Sequence, residues 1–247
     1  MAIEAKAFWL PKHGSTEAEY EDAYSISIPD SRFAIADGAT EASFSGMWAK
    51  QLVRAFTGKK IAIPLQLEEL KPLQARWHTF VHRNPLPWYA EEKVSNGAFA
   101  AFLGLELSEE NTADGLKRNW QVSAAGDTCL VQIRGNSILE AFPYKDSGSF
   151  NNHPDLLGSA NIFNENSSKL ISHHAGTWGC EDVFFLMTDA LACWFFKSAE
   201  QGQEPWNILR DLDTEAQVSF KDFVAGLRSS SSMKNDDVTL VRVDILA

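Results

Sequence analysis

Acidic residues stand directly at the ends of four short apolar segments, and this pattern limits the folds open to the chain. Each segment is a predicted strand, because it is short and rich in Ile, Phe, Val or Leu. Glu21 and Asp22 precede Ala23–Ile28, Asp37 and Gly38 follow Phe33–Ala36, Asp189 follows Val183–Met187, and Asp236 and Asp237 precede Val238–Leu246. If these strands share a sheet core, their ends can meet at one rim.

Carboxylates that meet without a counter-charge repel one another and raise one another's pKa values. A hard divalent cation removes that cost, and donors that are all oxygen fit Mg²⁺ or Mn²⁺ better than Zn²⁺. Two such ions about 4 Å apart would lower the pKa of a bound water and hold a phosphoryl group. Any one of these acids can equally be an ordinary turn or cap residue, and their spacing alone does not identify a reaction.

The order of the predicted elements indicates the fold class. Helices are predicted over Phe44–Phe56, Leu73–His82, Trp88–Val94, Leu191–Phe196 and Glu215–Arg228, and further strands over Ala5–Leu10, Gly97–Leu107, Asn119–Arg134 and Ser137–Phe142. The helices stand between groups of strands instead of following each strand singly. This order predicts α+β layers and not a doubly wound parallel sheet.

The stretch 143–180 differs in character from the rest of the chain. It is rich in Asn, Ser, Gly and His and has few long apolar runs. A stretch of this length without strong periodicity is typical of a surface excursion with a functional role. We expect one domain over residues 1–247, with 143–180 as a flap-like insertion.

Charge and cysteine content narrow the function classes. The 247 residues carry 22 Lys and Arg against 33 Asp and Glu, a net charge of −11. Binding to nucleic acid or to an anionic membrane needs a basic surface, so neither partner is expected. Three cysteines are too few for a disulfide scaffold, and the first residues lack the pattern of a signal peptide. We expect a soluble, cytoplasmic monomer with free thiols.

Five motifs, in this order, resemble those of the metal-dependent protein phosphatase family, the protein phosphatase 2C class, and in particular its bacterial branch. They are EDA at 21–23, ADGAT at 36–40, AAGDTCLV at 124–131, LMTDALA at 186–192 and DDVTLV at 236–241. The resemblance covers nearly the whole chain. It implies a four-layer αββα sandwich, in which two antiparallel sheets are stacked and helices cover both outer faces.

The resemblance also implies a dinuclear Mn²⁺ or Mg²⁺ site. Asp37 would bridge both ions, and the backbone carbonyl of Gly38 would bind one of them. Asp189 and Asp236 would complete the other. Asp127, in the family's GD motif, would join Asp189 at a third ion.

The implied catalytic group also includes Glu21 and Asp22, which would hold metal-bound water or support the ligands. The implied reaction is hydrolysis of phosphoserine or phosphothreonine in a phosphorylated protein, with water as the nucleophile. The flap-like stretch 143–180 falls where bacterial members carry a mobile flap beside the site.

The sequence departs from the family pattern at positions that bind substrate and not at the metal ligands. Glu17 stands where the family places a phosphate-binding Arg, Cys129 replaces the Arg of GDSR, and Ala190 replaces the Gly of TDG. The segment DGATE at 37–41 also lacks the His of DGHGG. These changes leave a second hypothesis open, a phosphatase-like binding or regulatory module with little turnover.

Overall fold

Two antiparallel sheets form the centre of the molecule in the computed structural model, which describes residues 1–39, 44–83, 94, 96–113, 115–150, 154–160, 164, 170–212 and 219–247. The strands are β1 (Ala2–Leu10), β2 (Ala23–Ser27), β3 (Arg32–Gly38), β4 (Phe99–Thr112), β5 (Gly115–Ala125), β6 (Cys129–Arg134), β7 (Ser137–Phe142), β8 (Leu157–Gly158), β9 (Ser172–Thr177), β10 (Val183–Met187) and β11 (Val238–Leu246). The first sheet has the strand order β1-β11-β10-β6-β7, and the second has the order β2-β3-β4-β5-β9 with the short β8 beside β4. Every pairing is antiparallel.

The helices cover the two outer faces of this pair of sheets. They are α1 (Ser45–Thr57), α2 (Lys71–Val81), α3 (Asp189–Glu200), α4 (Pro205–Arg210) and α5 (Phe220–Ser229). Side chains of α3, α4 and α5 pack on the first sheet, and those of α1 and α2 pack on the second. The expected α+β fold with four αββα layers is therefore confirmed.

Strict alternation along the strands produces three apolar layers, because successive side chains of a strand point to opposite faces. On β3, Phe33 and Ile35 pack between the two sheets, whereas Ala34 and Ala36 face α1. On β10, Phe184 faces the second sheet. The small residues of β3 let α1 lie close to the sheet.

The sequence prediction was wrong for Asn119–Arg134, which is not one strand. The chain leaves β5 in the second sheet at Ala125 and enters β6 in the first sheet at Cys129. Gly126 makes this change of sheet possible, since its φ is +85° and a Cβ there would lie 2.6 Å from the Cβ of Ala101. The link also carries Asp127.

Most other predicted elements lie within a few residues of their expected bounds. The helix predicted over Glu215–Arg228 begins at Phe220, while 213–218 lie outside the described residues. The prediction over Trp88–Val94 also lies outside them, apart from Val94. The six-residue α4 was not predicted. Within 143–180, β8 and β9 join the second sheet. None of the helices in the described ranges is long and apolar enough to cross a membrane.

Candidate metal centre

Antiparallel register brings the predicted acids to one rim of the sandwich. Met187, the last residue of β10, pairs with Cys129 at the start of β6 and with Leu240 near the start of β11. The residues after β10 therefore lie beside those that precede β6 and β11. These residues include Asp189, Asp127 and Asp236.

A cavity of about 1120 Å³ opens at this rim. Its lining includes Asp37, Gly38, Asp127, Asp189 and Asp236 together with Lys197, Arg228 and Lys234. All five residues proposed as metal ligands from the sequence thus share one cavity. They come from four separate parts of the chain that are up to two hundred positions apart in sequence.

Asp37 reaches the cavity because it continues the inner face of β3, two positions after Ile35. Gly38 follows it where the strand passes close to the chain before β2. A Cβ at Gly38 would lie 2.8 Å from the carbonyl oxygen of Glu21 and 2.9 Å from the carbonyl carbon of Ser45. The glycine is therefore needed for this close approach of three backbone segments.

Lys234 forms ion pairs with two acids of the cavity. Its Nζ lies 2.7 Å from Oδ2 of Asp236 and 3.8 Å from Oδ2 of Asp189. Its side chain is 65% exposed, whereas those of Asp189 and Asp236 are 19% and 24% exposed. Sequence reasoning missed this residue, although its place two positions before Asp236 is a signal that could have indicated it.

An arginine side chain holds the backbone at Asp236. Arg228 donates from Nη2 to the carbonyl oxygen of Asp236 and from Nη1 to that of Pro11, at 2.5 and 2.9 Å. Asp237 faces the other way and accepts from the backbone amides of Lys12 and Glu21, both at 2.8 Å. Of the two adjacent acids, Asp236 is the one that lines the cavity.

The pKa values of three clustered carboxyls are raised by burial and by mutual repulsion. Burial, followed by repulsion from Asp22 and Asp189, raises the pKa of Asp37 well above its ordinary value. Burial and then repulsion from Asp236 raise the pKa of Asp189. Burial and then Asp189 raise the pKa of Asp127 to about 7. Without a bound cation, these groups take up protons to relieve the repulsion.

Asp22 lies behind the cavity and not in its lining. Its side chain is fully buried, and its Oδ2 accepts a hydrogen bond from Oγ1 of Thr239 at 2.6 Å. Tyr20 in turn hydrogen-bonds Thr239 Oγ1 at 2.5 Å. The other carboxyl oxygen of Asp22, Oδ1, has no partner among the described residues. Burial and then Asp237 raise the pKa of Asp22 well above its ordinary value.

Glu21 lies in an adjoining cleft. Its Oε1 accepts a hydrogen bond from Oγ of Ser45 at 2.6 Å, and its Oε2 lies 4.0 Å from Nζ of Lys12. Gly46 and Met47 line the same cleft. The structure therefore places Glu21 beside the backbone of Gly38, while its carboxylate is already used by Ser45.

The chemistry of these donors fits Mg²⁺ or Mn²⁺. Four carboxylates line the cavity, together with the thiol of Cys193. Oδ1 of the buried Asp22 behind them has no hydrogen-bond partner among the described residues. Within the described ranges, however, no three acidic, His or Cys side chains are grouped closely enough to hold one ion. The pairing of Lys234 with Asp236 and Asp189 is consistent with this looser arrangement, because an ammonium takes part of the place of a cation.

The positions that depart from the family pattern do not supply a substitute phosphate ligand. Glu17 is exposed in a short 3₁₀ turn, and Cys129 is fully buried with its pKa raised by burial. Ala190 lines the cavity but has no polar side chain. Cationic groups in the cavity come instead from Lys197, Arg228 and Lys234.

Known proteins resemble this chain in structure but not in sequence. No family model and no curated sequence matches the chain. Among solved structures it is similar to a bacterial serine phosphatase (TM-score 0.61, 14% identity, 98% of each chain covered). It is also similar to the Mycobacterium tuberculosis serine/threonine phosphatase PstP/Ppp (TM-score 0.58, 15% identity, 100% of each chain). A structure of the PstP catalytic domain in complex with two manganese ions has a TM-score of 0.58, with 12% identity and 99% of each chain covered.

At these identities the likeness is one of fold. The chain is a two-sheet sandwich with an acid-lined rim. More particularly, it has the protein phosphatase 2C fold of bacterial serine/threonine phosphatases, as the motifs in the sequence predicted.

Proposed function

We propose that this protein is a metal-dependent phosphatase that hydrolyses phosphoserine or phosphothreonine in proteins. The observation that carries the proposal is the meeting of Asp37, Asp127, Asp189 and Asp236 in one cavity. The fold similarity supports it. A purely structural role for these acids would not require four buried or half-buried carboxylates to face one another.

In this proposal Asp37, the carbonyl of Gly38, Asp189 and Asp236 hold two Mn²⁺ or Mg²⁺ ions, and Asp127 contributes to a third. When bound, the ions would act as Lewis acids and would lower the pKa of a bound water to about 7. The carboxylates lose their protons on binding, because metal ligands must be ionised.

In this proposal the remaining side chains of the site position the metal ligands or supply positive charge for the substrate. Asp22 and Glu21 accept hydrogen bonds from groups of their own chain, Thr239 and Ser45, and orient the rim around the ligands. Lys197 and Lys234 supply positive charge on the cavity wall where a phosphoryl group would enter. We also propose that the part of 143–180 near Phe150 and Pro154, which line the cavity, acts as a flap.

The test is hydrolysis of p-nitrophenyl phosphate and of a phosphothreonine peptide, with Mn²⁺, with Mg²⁺ and with EDTA. We expect turnover with metal that EDTA abolishes and that Asp37→Asn removes at every metal concentration. Asp30→Asn is the matched control, because Asp30 lies in the turn before the same strand and contacts Lys59 away from the cavity. Full activity of Asp37→Asn would contradict the proposal.

A second function is favoured by specific observations, the ion pairs of Lys234 and the missing family Arg at Glu17. The chain would then be a phosphatase-like binding or regulatory module with weak turnover. Calorimetric titration with Mn²⁺ separates the two functions. Two binding events favour the enzyme, whereas no heat at millimolar Mn²⁺ favours the module.

A further inference from the structure

A second groove, between α1 and α2 on the outer face of the second sheet, is lined by cations although the chain carries a net charge of −11. Its volume is about 810 Å³. The cations are Lys50, Arg54, Lys60, Arg76 and Arg83. No acidic residue belongs to the described lining, so the groove is a local region of positive potential.

The cations of this groove are exposed, and none of them forms an ion pair with another residue that the structure describes. Arg32, Arg118, Arg134 and Arg242 each form an ion pair with a carboxylate elsewhere in the fold. Among the ion pairs of the described residues, none includes a cation of the groove. Within the described residues, these charges are not neutralised by a carboxylate.

The groove also presents apolar surface between the charges. Phe80 is 54% exposed, and Met47 is half-buried beside it in the lining. Arg76 and Phe80 are four positions apart on α2 and thus neighbours on one helix face, as Lys50 and Arg54 are on α1. A ligand that fits must offer both negative charge and an apolar side chain.

We propose that this groove binds an acidic segment of a protein partner, with an apolar side chain of that segment in contact with Phe80. A short acidic segment is affected mainly by the nearby cations, because charges farther away than about 8 Å are screened at physiological salt. A long nucleic acid or an anionic bilayer would also meet the rest of a surface that is strongly negative overall.

The groove adjoins the cleft that contains Glu21, whose backbone lies against Gly38. Met47 and Lys50 line both this groove and the cleft that contains Glu21 and Ser45. An extended segment held in the groove could therefore place a later residue near the metal ligands. This second part rests on the proposed function, whereas binding of the segment does not.

Binding is tested by fluorescence anisotropy in EDTA, with a fluorescein-labelled peptide in which a Leu is flanked by glutamates on both sides. We expect saturable binding that weakens with salt and is lost when Gln replaces Glu. Arg54→Glu/Arg76→Glu should weaken it by roughly tenfold or more, since two attractions become repulsions. Lys117→Glu/Lys221→Glu, two exposed residues outside the groove, makes the same change in net charge and should leave binding unchanged at matched salt.

Several results would overturn the proposal. Equal loss in both double variants would show a general charge effect, and tighter binding of duplex DNA or of phosphatidylserine vesicles would show a different ligand. Dimerisation that Arg54→Glu/Arg76→Glu abolishes would assign the groove to a second copy of the chain. If circular dichroism shows that the double variant is unfolded, Arg54→Gln and Arg76→Gln replace it, each with a smaller expected loss.

A separate experiment tests whether a segment bound in the groove is delivered to the proposed metal site. If both proposals hold, Arg54→Glu/Arg76→Glu should raise KM for a phosphopeptide that carries the acidic segment, with hydrolysis of p-nitrophenyl phosphate unchanged. Peptide binding without any phosphatase activity would leave the groove in place and remove only the proposed function. An unchanged KM together with weakened binding would remove the link between groove and site.

Discussion

Nζ of Lys234 lies 2.7 Å from Oδ2 of Asp236 and 3.8 Å from Oδ2 of Asp189, so an ammonium group sits among the carboxylates proposed to bind metal. The pKa of Lys234 is raised, first by its hydrogen bond to Asp236. The lysine thus stays charged and offsets part of the repulsion within the cluster. A divalent cation that binds there has to replace this contact.

Replacing Lys234 by methionine should therefore strengthen Mn²⁺ binding. We expect a gain of at most roughly fivefold, because an exposed ion pair contributes only about 0.2–1 kcal/mol. In EDTA the same variant should unfold at a lower temperature, since the carboxylates lose their counter-charge. Titration calorimetry and thermal unfolding measure the two effects.

Lys197→Met is the control for this prediction, because Lys197 lines the same cavity and forms no ion pair among the described residues. It should change Mn²⁺ affinity less than Lys234→Met does. Weaker Mn²⁺ binding by Lys234→Met would show that the lysine supports the metal site instead of competing with the metal.

The stability of the metal-free protein should fall as pH rises from about 4 to about 7. The pKa of Asp127 is raised from 3.8 to about 7, chiefly by burial. A carboxyl with a raised pKa binds protons more tightly in the folded state, so rising pH favours the unfolded state. For Asp127 the effect is on the order of a few kcal/mol. The pKa of Asp37 is also raised, chiefly by burial, so its titration acts in the same direction.

Urea unfolding at several pH values in EDTA measures this dependence. Asp127→Asn should flatten the curve between about pH 4 and pH 7, because one titrating group is removed. Mn²⁺ should reverse the trend, since it binds the ionised carboxylates. An Asp127→Asn curve parallel to that of the unchanged protein would contradict the pKa of about 7.

The hydroxyl of Thr239 connects Tyr20 with the buried Asp22. Thr239→Val keeps the shape of the side chain and removes both hydrogen bonds. The buried carboxyl of Asp22 would then lose the hydrogen bond from Thr239, and we expect a loss of about 1–3 kcal/mol in the free energy of unfolding. Urea denaturation measures it.

Two further variants separate the contributions of the hydroxyl and the methyl group of Thr239 to this loss of stability. Thr239→Ser retains the hydroxyl and should lose less stability than Thr239→Val. Tyr20→Phe removes only the bond to Thr239 and should also cost less. A Thr239→Ser protein as unstable as Thr239→Val would assign the loss to packing of the methyl group instead.

The pattern of the sequence predicted α+β layers and acids at strand ends, and the resemblance to a family supplied the order of the four layers. Alternation along β3 and the apolar run of β10 are local signals, and acids at strand ends remain visible without coordinates. The split between β5 and β6 was not predictable in the same way. It depends on Gly126, whose missing Cβ matters only because Ala101 of another strand lies against it.

Residues whose role depends on contacts distant in sequence were the ones missed. Lys234 contacts Asp189, which is 45 positions away in sequence, and its place two positions before Asp236 is a weak local signal of this contact. The cations of the outer groove lie in α1, in α2 and just after each helix, and each of them taken alone has the pattern of an ordinary exposed residue. Only the packing of two helices brings Arg54 and Arg76 to one groove.

Gly38→Ala should disrupt the rim, because Gly38 is buried at the end of β3 where three backbone segments meet. The new Cβ would lie 2.8 Å from the carbonyl oxygen of Glu21, a backbone atom that cannot move without shifting β2. We expect a loss of about 1–3 kcal/mol from overpacking, together with weaker Mn²⁺ binding because Asp37 is displaced with its neighbour. Denaturation and calorimetry measure the two losses.

The control for Gly38→Ala is Gly226→Ala in α5, where a Cβ would meet no atom within 4 Å. Because alanine is a better helix former, this variant should gain roughly 0.5–1 kcal/mol and leave Mn²⁺ binding unchanged. If Gly38→Ala were as stable as the unchanged protein and bound Mn²⁺ equally well, the close approach of Gly38 to Glu21 would not be what positions Asp37. The rim would then have to be held by its side chains alone, through Thr239 and Arg228.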